Sequence, residues 1–142
     1  MNLSPHFTLE ELIMSTTAVR LGIDNTPSVN IRDTLSHLVH PLEEVRRIVG
    51  PMHINSGYRC LELNRALKSS DTSQHVKGQA IDFTVAGKTP FEVCRLIEES
   101  DIKFDQLIHE FDSWTHVSFC WGTTPRGSVL TIDSAGTRLG LV

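Results

Sequence analysis

The chain has 142 residues, 39% of them hydrophobic and 21% charged, the size and balance of one soluble domain able to bury a core without disulfides. Thirteen Lys and Arg against 17 Asp and Glu give a net charge of −4, which disfavours a general nucleic-acid or anionic-membrane binder. No apolar run reaches the roughly 18 residues of a membrane span, and Met1–His6 shows no basic stretch leading into an apolar one, so no secretory signal is expected.

The first element is a short helix from about residue 9 to about residue 19, ending before Gly22. Thr8 and Glu11 form a capping box, and Phe7 staples onto Leu12. Asn25-Thr26-Pro27-Ser28 is a loop by composition. Ile31, Leu35, Leu38, Leu42, Val45 and Val49 recur at helical spacing until Gly50-Pro51, and Pro41 inside the stripe predicts a kink. Ile54–Arg59 reads as a strand entering a turn, followed by a brief helix through Leu61, Leu63 and Leu67 and a polar loop, Lys68–Gln74. Gln79–Val85 alternates as a strand, with Ala80, Asp82 and Thr84 on one face and Ile81, Phe83 and Val85 on the other. Thr89-Pro90-Phe91-Glu92 opens a well-marked helix that is expected to turn Phe91, Cys94 and Ile97 inward. Gln106–Phe111 and Trp114–Phe119 form a hairpin, and a strand near Ser128–Ile132 precedes a Gly-rich tail. The fold class is α+β, with helices on one face of a small, mostly antiparallel sheet.

Three cysteines, Cys60, Cys94 and Cys120, are odd in number and far apart, so they are expected as buried free thiols. Histidine is the unusual residue, at seven copies. His75 sits in a loop seven positions before Asp82, with Gly78 permitting the turn between them. In the later strand Trp114, His116 and Ser118 share a face. If the polar faces of the two strands coincide, His75, Asp82 and His116 converge. Two imidazoles and one carboxylate with an open fourth position suit a catalytic zinc. Spacing alone does not settle this, because the three could be unrelated surface or core groups in a histidine-rich chain.

Ser56-Gly57-Tyr58-Arg59, Asn64, Ser73-x-His75-x-x-Gly78-x-Ala80-x-Asp82 and Trp114-x-His116-Val117-Ser118 together resemble the zinc D-alanyl-D-alanine peptidase family. That family includes phage endolysins and shares its fold with the Hedgehog signalling domain. Phe7-Thr8-x-x-Glu11-Leu12 and Gly22-x-x-Asn25-x-Pro27 resemble its small phage and prophage branch. The resemblance implies zinc ligands His75, Asp82 and His116. It also implies that Arg59 faces the substrate carbonyl or carboxylate and that Ser73 stands beside the first ligand. Many members carry a catalytic Glu three residues before the last histidine and others a histidine two before it; here those positions are Ser113 and Trp114. The nearby acids are Glu110 and Asp112. A two-residue turn at 112–113 would put Glu110 on the face away from His116, and a three-residue turn at 111–113 would put it on the same face. Glu110 is the preferred base and Asp112 the alternative. Trp114 is a candidate substrate wall, and Tyr58 either bonds substrate or closes the turn beside Arg59. His109 lines the site only with the two-residue turn.

The resemblance implies zinc-assisted attack of water on an amide carbonyl in peptidoglycan stem peptides, by a carboxypeptidase or an endopeptidase (endolysin). The partner is then a peptidoglycan peptide, with neither nucleic acid nor membrane, and a monomer is favoured. Synthesis in the cytoplasm, with release to the cell wall or packaging in a virion, fits the missing signal. The alternative is a non-catalytic, zinc-stabilised Hedgehog-like binding or structural module.

Overall fold

The computed structural model describes residues 1–142. Five helices and six strands follow in the order α1 (Leu9–Ile13), α2 (Thr16–Leu21), α3 (Val29–Val49), β1 (Met52–Ser56), α4 (Leu61–Ala66), β2 (Ala80–Val85), α5 (Pro90–Glu98), β3 (Gln106–Glu110), β4 (Trp114–Ser118), β5 (Ser128–Asp133) and β6 (Gly136–Leu139). The architecture is α+β.

The Thr8–Glu11 capping box starts α1, and Phe7 and Leu12 are both buried. The single helix expected over residues 9–19 is two. Met14 is extended, and Ser15 caps a second helix by accepting a bond from the Ala18 N–H. A serine hydroxyl that competes for backbone donors favours a new start over continuation. Helix α3 runs through Pro41 without a break. The proline forfeits only its own N–H bond, to the carbonyl of solvent-exposed His37, while buried Leu38, Val39, Leu42 and Val45 on the opposite stripe hold both halves on the sheet.

Helix α5 has the expected capping box and Pro90 in its first turn. It buries Val93, Cys94 and Ile97, but Phe91 is 36% exposed and not inward. It lies in the first turn, past the edge of the buried stripe, with its ring edge-on to His109 at 5.8 Å.

The strands form one sheet in the order β1-β2-β4-β3-β5-β6. All neighbours are antiparallel except β3 and β5, which run parallel. The Gly-rich tail is therefore a sixth strand, turned back through Ser134-Ala135 onto β5. One face of the sheet, with Ile81, Phe83, Val85, Leu107, Val117 and Phe119, packs against α3 and α5 in a 19-residue core. Each large side chain fully buried there contributes about 1.5–3 kcal/mol of transfer free energy. On the other face the register aligns one row across the sheet: Ser56, Asp82, His116, Ile108, Leu130 and Leu139. The next row is Trp114, Glu110, Ile132 and Thr137.

The cysteines are free, but only Cys94 is buried; Cys60 and Cys120 are half-buried. Cys60 is the N-cap of α4, where its sulfur accepts the Leu63 N–H, which keeps it at the surface end of that helix.

Candidate metal centre

Asp82 and His116 are Cα partners on neighbouring strands, so their side chains leave the sheet on the same face. His75 reaches them from the preceding loop. Nδ1 of His116 lies 2.9 Å from Oδ1 of Asp82, and Nε2 of His75 lies 3.3 Å from the same oxygen. The two imidazoles meet edge-on with centroids 5.1 Å apart. All three residues are buried, and their donor atoms lie within 4.8 Å of one another. Burial works against the charge of Asp82, but the His116 and His75 rings beside it outweigh burial and hold the carboxyl well below its usual range.

Two of the donors, His75 and Asp82, are aimed by neighbours. Nδ1 of His75 is 2.8 Å from the Gly57 carbonyl, which can only accept, so Nδ1 carries the proton and Nε2 is left with a free lone pair. Gly57 must be glycine here, because a Cβ would stand 2.3 Å from the carbonyl oxygen of Leu12. The Ser73 hydroxyl accepts the His75 N–H at 3.2 Å and fixes the loop. Arg59 donates to Asp82 Oδ2 at 3.3 Å, to Ser56 Oγ at 2.9 Å and to Asn64 Oδ1 at 3.3 Å. Burial lowers its pKa from the ordinary value, and the Asp82 and Glu110 charges oppose that. Asn64, fully buried, in turn holds the Ser70 carbonyl at 2.7 Å.

Glu110 pairs with Trp114 in register, so the β3–β4 connection has three residues and Glu110 shares the face of His116. Its Oε1 lies 3.8 Å from His116 Nδ1. Burial and the Asp82 charge raise its pKa, while His116 and Arg59 oppose the rise. Asp112 does not face this group. Its carboxylate is 77% exposed and accepts from His109 Nε2 at 3.0 Å, because the left-handed turn directs it to the other side of the sheet. His109 lies on that side as well, packed against Phe91.

His75, Asp82, His116, Arg59, Ser73, Glu110 and Trp114 all line one open groove of about 870 Å³. Tyr58 does not. It is buried in the core and gives only its main chain to the neighbourhood, through its N–H on the Leu12 carbonyl and its carbonyl on Asn25. A substrate contact by Tyr58 is thus not supported, and the residue serves the turn. The groove also includes Gln74, Phe111, Arg126, Leu130 and Ile132, which sequence reasoning missed. The Ser128-x-Leu130-x-Ile132 alternation carried a signal for the last two, since it sets them on one face.

The donor set fits a zinc ion. Two neutral-capable imidazole nitrogens and a carboxylate oxygen converge, one histidine is backed by a carbonyl, and the groove leaves one side open. No curated protein sequence matches the chain significantly. The family model described as Peptidase M15 matches residues 5–118, a span that includes the three donors, Arg59 and Glu110. The buried His-Asp-His group and this match over most of the chain lead to one conclusion: the chain belongs to the M15 peptidases, and it is a zinc-dependent metallopeptidase.

Proposed function

We propose that the chain hydrolyses an amide bond in peptidoglycan stem peptides, with His75, Asp82 and His116 holding zinc and Glu110 as general base. The observation that carries the reading is the position of Glu110, a half-buried carboxylate 3.8 Å from His116 and on the same groove wall. A module that only held an ion would have no use for a second acid there.

Zinc, when bound, supplies Lewis acidity that polarises the scissile carbonyl and lowers the pKa of water to about 7. The chain's own groups do the rest. Glu110 Oε1 takes a proton from the attacking water and returns it to the leaving amine, which a carboxyl of raised pKa suits. Arg59 has three of its donors engaged, so it fixes Asp82 and places positive charge beside the carbonyl oxygen that becomes negative. His75 is kept from rotating by the Gly57 carbonyl. The groove, about 870 Å³ in volume, opens to solvent, so a peptide can reach the three donors from outside. Trp114 forms part of its wall.

Digestion of purified cell walls by the zinc-loaded chain, with products identified by mass, tests the reading. New amine and carboxyl ends in stem peptides, absent with Glu110→Gln, are expected. Intact walls and intact synthetic stem peptides, with zinc fully loaded, would rule the activity out.

A further inference from the structure

The segment 22–27 stands outside the groove and contributes no zinc donor. Its sequence nevertheless builds a well-fixed turn. Gly22 ends α2 in the left-handed conformation, at φ 69°, with its N–H on the Ala18 and Val19 carbonyls. The Asp24 carboxylate accepts the Thr26 N–H at 3.0 Å, an Asx turn. Pro27 is buried and leads into Ser28, the N-cap of α3. Asn25 is thereby held between two anchored ends, with its side chain on the 58–60 backbone.

The Asn25 amide makes three bonds. Nδ2 donates to the Ile13 carbonyl at 2.8 Å and to the Tyr58 carbonyl at 3.0 Å, and Oδ1 accepts the Cys60 N–H at 2.7 Å. Carbonyls only accept and a backbone N–H only donates, so these partners fix which way the amide points. The Tyr58 carbonyl and the Cys60 N–H belong to the two peptide planes that flank Arg59. One side-chain amide therefore brackets the backbone of that arginine. The Arg59 N–H in turn holds the His75 carbonyl at 3.1 Å. Cys60 is also the N-cap of α4, which carries the Asn64 that meets the guanidinium. The base of the Arg59 side chain and the start of the helix that supplies its partner are gripped by the same residue.

We propose that Asn25 is a positioning residue of the metal centre, which sets zinc affinity through Arg59 by holding the backbone on either side of it. The path has two steps: the amide to the 58–60 backbone, then Arg59 Nη2 to Asp82 Oδ2 at 3.3 Å. A guanidinium that must meet Ser56, Asn64 and Asp82 together tolerates little movement at its Cα, because three contacts fix its plane. Asparagine is the residue that offers two donors and an acceptor on so short a side chain. An aspartate would keep the acceptor alone, and an alanine would keep nothing. The inference needs the donor set and does not depend on what the chain hydrolyses.

The test is zinc affinity, measured by competition with a fluorescent chelator on Asn25→Ala, Arg59→Lys and the variant carrying both changes. Asn25→Ala should weaken zinc binding about tenfold, as losing a group that orients a ligand does. Asn25→Ser, which keeps one hydroxyl to bond with, should lose less, and it replaces the alanine variant throughout if that chain does not fold. In the double variant the two losses should fall several-fold short of multiplying, because both disturb the same guanidinium. Thr89→Ala removes the N-cap of α5, away from the site, and controls for stability: it should lower the melting temperature and leave zinc affinity as in the parent. In the metal-free chain the Arg59 Nε–H, bonded to Ser56 Oγ at 2.9 Å, should exchange with water faster in Asn25→Ala than in the parent, as NMR reads it. Parent-like zinc affinity in folded Asn25→Ala would overturn the proposal. Losses that multiply in full would show that Asn25 acts apart from Arg59, and equal weakening in Thr89→Ala would reduce its effect to general stability; either result overturns it as well.

Discussion

Arg59 and Asp82 divide one carboxylate between two tasks: the guanidinium takes Oδ2 at 3.3 Å and leaves Oδ1 to the two imidazoles. The arginine is thus part of the metal site's frame as well as of the groove wall. Replacing it with Lys keeps the charge but cannot serve Ser56, Asn64 and Asp82 together. Arg59→Lys should weaken zinc affinity by about 10–100-fold, the usual cost of losing a group that orients a ligand. Competition with a fluorescent chelator measures it, and parent-like affinity would show that Asp82 needs no such support.

Removal of the metal should loosen the fold, because the ion ties a loop to two strands. At a free zinc concentration about 100-fold above Kd, the melting temperature should exceed that of the chelated chain by roughly 5–10 °C. His75→Ala and His116→Ala should each lose stoichiometric zinc, and their melting should ignore the chelator. A full zinc complement in both variants would unseat the assignment of donors.

The two acids of the hairpin should behave differently. Glu110→Gln keeps the shape of the side chain but cannot take a proton, and hydrolysis should slow by roughly 10²–10⁴-fold. Asp112→Asn should leave the rate within a few-fold, since its carboxylate is exposed and turned toward His109. Steady-state rates on one stem peptide decide it; the reverse ranking would move the base to Asp112.

The Asp105–Arg126 pair gives stability a pH dependence away from the metal. Arg126 reaches Asp105 through Nε and Nη2, at 3.1 Å and 2.7 Å, and this holds the buried carboxyl at about 2. The folded value lies below the unfolded one of about 3.9, so the pair's contribution is complete above pH ~4 and is lost as pH falls toward 2. Water screens the more exposed guanidinium, and the contribution is on the order of 1 kcal/mol. Urea unfolding of Asp105→Asn should show that deficit at pH 7 and little of it near pH 2. A deficit independent of pH would mean that the amide disturbs the loop in some other way.

The donor triad was legible because strand parity is local: Asp82 and His116 had to leave their strands opposite Ile81 and Val117, and the loop histidine had only to reach them. The proposed base was legible only as one of a pair of candidates. Turn length decides which of Glu110 and Asp112 shares the face of His116, and Phe111-Asp112 carries none of the Asn-Gly chemistry that announces a type I′ turn. The break at Met14–Ser15 was hidden because a serine reads as helix interior or as cap depending on what packs above it. Phe91 looked like core because its spacing is helical, whereas the buried stripe begins two residues later at Val93. The last strand was invisible because Gly136–Leu139 is exposed throughout and exists only by pairing with β5.

The contact of Gly57 with Leu12 makes the ion's residence a matter for the N-terminal arm. The Tyr58 N–H is tied to the Leu12 carbonyl at 2.8 Å, so the backbone that aims His75 is pinned by a helix more than forty residues upstream. Lifting α1 from its seat frees the Gly57 carbonyl to swing, and His75 with it. Zinc should then escape through openings of the arm while the β-sheet stays intact. Its release rate should match the hydrogen-exchange rate of the Tyr58 amide and outrun that of the β2–β4 amides.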